Sequence, residues 1–130
     1  MSVGVLLLTH ETMGAALIVA ARHILGRMPL SVDALAVPPG SDVDAALSDA
    51  AGRARALDTG DGVLVLTDVY GATPSNLAEK LGDLGITLRR VSGLNLPMLL
   101  RVLNYPEQPL AELVKTAAGG GRAGVVIDHA

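Results

Sequence analysis

The chain has 130 residues, half of them hydrophobic, with no cysteine, no tryptophan and only Tyr70 and Tyr105 as aromatics. Thirteen acids against ten bases leave a net charge of -3, which offers no basic face to nucleic acid or to an anionic membrane. Without cysteine there is no disulfide and no thiolate metal site, as suits a reducing compartment.

This length predicts one domain spanning residues 1–130, with a core of Leu, Val, Ile and Ala. Charged residues make up 18%, below the roughly 25% usual in soluble domains. That apolar surplus in a small chain points to buried subunit contacts. Val3–Leu8 is a short apolar run with no positive segment before it, which is not the pattern of a signal peptide. No stretch reaches the roughly 18 apolar residues that span a bilayer. A soluble, cytoplasmic protein is expected, with no insertion into a membrane.

Val3–Leu8 reads as a strand buried on both faces. Met13, Ala16, Leu17, Ala20, Ala21, Ile24 and Leu25 then recur at spacings of three and four, a helix with one apolar stripe that stops near Gly26 and Pro29. Val32–Val37 is a second strand, closed by Pro38-Pro39-Gly40. Ser41-x-x-Asp44 resembles a capping box and opens a helix through Leu57. Val63–Thr67 is a third strand and Asp68–Thr73 a loop. Thr73-Pro74 starts the next helix, with Thr73 as its cap and proline at the first helical position. Ile86–Ser92 is a fourth strand, Leu96 to about Leu103 a helix, and Pro109–Ala118 a last helix. Gly119-Gly120-Gly121 reads as a flexible break before a short final strand, Gly124–Ile127.

Strands alternating with helices predict an α/β fold of three layers: a mainly parallel sheet with helices on both faces. The simplest strand order is 2-1-3-4. The winding direction reverses between strands 1 and 3, so a crevice opens beyond their carboxyl ends. His10 follows strand 1 and Asp68 follows strand 3, and this order makes them neighbours there.

Of the three histidines, His23 falls on a polar helix flank and His129 is the penultimate residue. His10 alone stands at a strand-to-helix junction with a carboxylate in reach. A serine hydrolase is excluded by the absence of G-x-S-x-G, and no His/Asp/Glu set has metal-ligand spacing. Histidine itself serves as a nucleophile when a carboxylate holds its tautomer and steadies the growing positive charge. The surroundings suit a phosphoryl group. Two helix N-termini face the crevice, Thr9 and Thr73 supply hydroxyls, and Gly71 admits close backbone approach. Gly119-x-Gly121-x-x-Gly124 matches a dinucleotide fingerprint but follows a helix, and G-x-x-x-x-G-K-[ST] is missing. No nucleotide, metal or other cofactor is expected. A receiver domain would need an acidic cluster where this chain has Thr9-His10-Glu11.

Three segments together resemble the mannose-family enzyme IIA of the bacterial phosphoenolpyruvate-dependent sugar phosphotransferase system (PTS). They are Val3–His10, ending Leu8-Thr9-His10; Thr67-Asp68-Val69-Tyr70-Gly71-Ala72-Thr73-Pro74-Ser75-Asn76; and Ser92-Gly93-Leu94-Asn95-Leu96-Pro97-Met98-Leu99. The resemblance spans nearly the whole chain. It implies that His10 takes a phosphoryl group from phospho-HPr and passes it to an enzyme IIB. It further implies that Asp68 orients His10 and that the segment through Thr73 holds the phosphate. It also implies a homodimer in which the last strand, Gly124–Ile127, pairs antiparallel with the partner's sheet, and peripheral association with a sugar permease. Family members often carry tryptophan at Tyr70 and a second glycine at Ala72, both on the rim facing partner proteins. Other readings remain open on the sequence: a regulatory module whose phosphorylation alters binding without onward transfer, the related subunit that feeds dihydroxyacetone kinase, and a small-molecule-binding domain that is never phosphorylated.

Overall fold

The most continuously apolar runs of the chain become the two central strands of its sheet. In the computed structural model, which describes residues 2–128, β1 (Gly4–Thr9) and β3 (Val63–Thr67) are buried at every position. Their neighbours β2 (Val32–Ala36) and β4 (Leu88–Ser92) lie at the edges and are only partly covered. All pairings are parallel, in the order β2-β1-β3-β4, as the alternating pattern predicts. Register places Thr9 beside Ala36, Leu8 beside Thr67 and Thr67 beside Ser92, so the four strands end nearly level.

Because strand side chains alternate between faces, β1 feeds two cores. Val5 and Leu7 pack with Leu64 and Leu66 beneath α1 (Met13–Leu25), α4 (Leu96–Leu103) and α5 (Leu110–Ala123). Leu6 and Leu8 pack with Val63 and Val65 beneath α2 (Val43–Leu57) and α3 (Thr73–Gly82). This is the three-layer arrangement that a run apolar on both faces requires. No helix among the described residues is long and apolar enough to cross a membrane.

Four local expectations need correction. Ser41 is not the cap of α2: Asp42 is, its carboxylate accepting from the Asp44 N–H at 3.0 Å, while the Ser41 hydroxyl donates back to the Pro38 carbonyl. Thr73 is the first helical residue of α3 rather than its cap, which falls on Ala72, so Pro74 is the second. β4 starts at Leu88, two residues later than Ile86.

The fourth correction is the largest. Gly119-Gly120-Gly121 is no break: α5 runs through it to Ala123. A Cβ on Gly120 would sit 2.5 Å from the Arg101 Cβ, and one on Gly124 would sit 2.2 Å from the Pro97 Cβ. Missing side chains thus let α5 lie directly on α4. Asn95 joins the two helices, accepting from the Met98 N–H at 2.9 Å and donating to the Gly121 carbonyl at 3.1 Å. Residues after Gly124 pair with no strand of the described chain, and Val125, Val126 and Ile127 are strongly exposed.

Candidate functional site

The reversal of winding between β1 and β3 brings His10 and Asp68 together. The Asp68 Oδ2 atom accepts two hydrogen bonds from the same residue, one from the His10 main-chain N–H and one from the His10 ring at Nδ1, each 2.8 Å long. The Asp68 side chain is 5% exposed and that of His10 is 47% exposed. The carboxylate is therefore a buried post and the imidazole a half-exposed plate standing on it. With Nδ1 donating its proton to Asp68, the remaining ring nitrogen, Nε2, carries the free lone pair.

Burial by itself pushes the Asp68 carboxyl up. The His10 main-chain N–H, the His10 ring and the Val69 N–H outweigh it and hold the group below the ordinary carboxylate value. The Val69 contact falls on Oδ1 at 3.0 Å. Asp68 is consequently ionised at neutral pH and able to steady positive charge on the imidazole.

Walls form around this pair from the loops that leave the strand ends. A cavity of about 380 Å³ is lined by His10, Thr73 and the segment from Val37 to Ser41, with Val43 behind. The Val37 N–H bonds to the Thr9 carbonyl at 2.9 Å, which extends β2 alongside His10 and holds that wall in place. Sequence reasoning treated Pro38-Pro39-Gly40 only as the end of a strand. The strand order already contained the signal, since any residue following β2 must lie beside the residue following β1.

The expected hydroxyl donors differ in their setting. Thr73 is exposed at the cavity wall, and since Ala72 takes the capping position its hydroxyl has no capping bond to keep. Thr9 is 1% exposed, and its hydroxyl oxygen accepts from the Gly14 N–H at 3.0 Å. It caps the first turn of α1 from beneath. Gly71 lies at φ 85° on the exposed loop, a left-handed conformation that favours glycine. His23 stands exposed on α1 away from these groups, and His129 lies outside the described residues. Among the described residues no cluster of three His, Cys, Asp or Glu side chains is placed to hold a metal ion. The exposed side chains of Val69 and Tyr70, 56% and 83%, stand on the loop that Asp68 begins.

Fold and site together define a parallel α/β domain with a carboxylate-held histidine at its topological switch point. The model of the EIIA-man family, described as "PTS system fructose IIA component", matches residues 4–118. A curated relative, the PTS system mannose-specific EIIAB component of Escherichia coli, is 28% identical over 127 residues. The match takes in 96% of this chain, which spans only 39% of that relative's length. Among solved structures, the mannose/sorbose specific IIA subunit of the phosphotransferase system from Enterococcus faecalis superimposes with a TM-score of 0.87 at 23% identity. That match covers 100% of this chain and 97% of the other. The EIIA component from Streptococcus agalactiae gives 0.81 at 21% identity, with 96% of each chain covered. The chain belongs to the mannose-type EIIA family of the sugar phosphotransferase system.

Proposed function

We propose that the protein is a phosphocarrier whose His10 accepts a phosphoryl group from phospho-HPr and passes it to an enzyme IIB in the cytoplasm. The observation that carries this reading is the double hydrogen bond from His10 to one buried Asp68 oxygen, which leaves Nε2 as the reactive atom. The Nε2 lone pair attacks the phosphorus of the donor's phosphohistidine. The N–P bond of the donor breaks and its electron pair returns to the donor's ring. The ring of His10 gains positive charge as the new N–P bond forms, and Asp68, still ionised, offsets it. Return to a neutral ring follows when the acceptor takes the phosphoryl group by the same in-line displacement.

Phosphoryl transfer asks mainly for positioning and for neutralising the equatorial oxygens. In this reading the first-turn amides of α3 and those of α1 that Thr9 does not engage, the Thr73 hydroxyl and the open backbone at Gly71 receive those oxygens. Thr9 supports the phosphate site from below through its hold on α1. The acceptor follows from the family and from the curated relative, whose name joins an A and a B component. Docking is assigned to the rim that bears Val69 and Tyr70, with any contact to a sugar permease peripheral and indirect. The reading also takes the protein as a homodimer in which Gly124–Ile127 of one protomer adds antiparallel to the other's sheet. The exposure of Val125, Val126 and Ile127, and the position of β4 at the edge of the sheet, support it.

The test is labelling from phosphoenolpyruvate through enzyme I and HPr. Wild type and His23→Ala should carry the label and His10→Ala should not. A labelled His10→Ala variant would overturn the assignment. Labelled protein incubated with candidate IIB proteins should lose its phosphoryl group, whereas a purely regulatory module would keep it.

A further inference from the structure

Glu11 is the only non-glycine residue among those described with a positive φ, at 49°. Residues with a Cβ resist this left-handed region, where the side chain crowds the backbone. Such conformations persist where the surrounding structure imposes them, often at functional sites. Here the imposed residue directly follows His10. β1 ends at Thr9 and α1 begins at Met13, so the chain must reverse within three residues. Over the same short span it must turn both the main-chain N–H and the ring of His10 toward one oxygen of Asp68.

We propose that Glu11 is a positioning residue for His10 and acts through its main chain. Its left-handed turn lets the chain leave β1 for α1 while the His10 amide and Nδ1 both stay on Asp68, and thereby holds the tautomer that exposes Nε2. The Glu11 side chain is exposed and makes no hydrogen bond or ion pair among the described residues. It is the conformation of the residue, and not its carboxylate, that serves the site. The proposal rests on His10 being the reactive group.

Substitutions separate the backbone from the charge. Glu11→Gly adopts the turn freely and Glu11→Gln removes only the charge. Glu11→Val carries a β-branched side chain that opposes the left-handed region, and Glu11→Thr brings the same branching with a polar side chain should the valine variant fail to fold. Two readouts apply: the initial rate of phosphorylation by phospho-HPr, and the 15N shifts of the His10 ring in the unphosphorylated protein. Glu11→Gly and Glu11→Gln should stay within about twofold of wild type, while Glu11→Val should lose on the order of tenfold or more, since small displacements of a reacting group carry large rate penalties. The His10 ring of Glu11→Val should also move from a single tautomer toward a mixture, and that of Glu11→Thr should follow it. Losses in Glu11→Gly or Glu11→Gln matching those in Glu11→Val would overturn the proposal in favour of the carboxylate. A slowed Glu11→Val with an unchanged tautomer would overturn it in favour of a docking effect. If wild type takes no label while the ring shifts still divide the variants this way, the phosphocarrier reading fails and the positioning role stands.

Discussion

In the proposed phosphocarrier, Asp68 meets two demands with one side chain: a buried carboxylate has to stay ionised, and the imidazole above it has to keep one tautomer. His10 answers both by donating twice to Oδ2. Replacing the carboxylate by its isosteric amide separates the two demands. Asp68→Asn keeps one acceptor oxygen but offers no charge, so its fold should survive with a loss of about 1.5–3 kcal/mol, the usual range for a hydrogen bond to a charged group. If His10 is the phosphoryl acceptor, its phosphorylation should slow on the order of 10²- to 10⁴-fold, as when a histidine's orienting carboxylate is made an amide elsewhere. Stopped labelling measures the rate, and an unchanged rate would remove the tautomer argument.

The same contacts set a pH dependence. The folded carboxyl lies below its unfolded value of 3.8, so its stabilisation is fully present above that value and drains away as pH falls through the folded pKa. Urea unfolding from pH 5 downward should therefore show wild type losing more stability than Asp68→Asn, with the two curves converging in acid. His10 and Asp68 were legible because a strand order fixes which residues follow adjacent strand ends. The left-handed turn at Glu11 was not, since nothing about a glutamate after a histidine marks it as the residue that must bend. Nor was the burial of Thr9, whose hydroxyl is drawn to the Gly14 amide by tertiary packing.

At the scale of elements, the glycines of α5 show how local composition misleads. Three successive glycines are poor helix formers and read as a hinge, yet contact with α4 overrides the preference. Their values should differ in sign. Gly119 faces open space, so Gly119→Ala should stabilise by roughly 0.5–1 kcal/mol through helix propensity alone. Gly120→Ala would place its Cβ against the Arg101 Cβ at 2.5 Å, close to the backbone where little can yield. It should destabilise by about 1–3 kcal/mol in spite of the same propensity gain. Thermal or urea unfolding of the pair decides the matter, and two stabilised variants would return the triplet to the status of a loose segment. Removing the Asn95 link should also weaken this seam. Asn95→Ala loses the α4 cap and the bond to Gly121, at a cost of about 1–2 kcal/mol. Apart from these glycines and the final strand expected over Gly124–Ile127, which pairs with nothing among the described residues, helix and strand positions were legible because each run is apolar at the period of its own structure. The start of α2 shifted because neighbouring polar residues, Ser41 and Asp42, competed for one role.

For the whole molecule, the sheet and the tail after α5 belong to one question. β4 is an edge strand carrying Arg89 and Arg90, and a groove of about 620 Å³ runs beside it, lined by Tyr70, Ser75, Leu88, Arg89, Arg90, Ser92 and Val114. An uncovered edge of this kind invites a further strand. Val125, Val126 and Ile127, 75%, 74% and 88% exposed, have the composition of one, and Asp128 follows them with a charge opposite to that of the arginines. If two protomers exchange these segments, main-chain hydrogen bonds hold the dimer and proline is the sharpest probe, because it removes a donor. Successive N–H groups of a strand point to opposite sides, so Val125→Pro and Val126→Pro should not behave alike. One should remove a pairing donor and shift the protein to monomer in sedimentation equilibrium, and the other should weaken the dimer far less. Both should still accept label at His10, which follows the central strand β1 and does not lie on the edge strand β4. Wild type sedimenting as a monomer, or two proline variants that remain equally dimeric, would show that the apolar surplus is buried by some other surface.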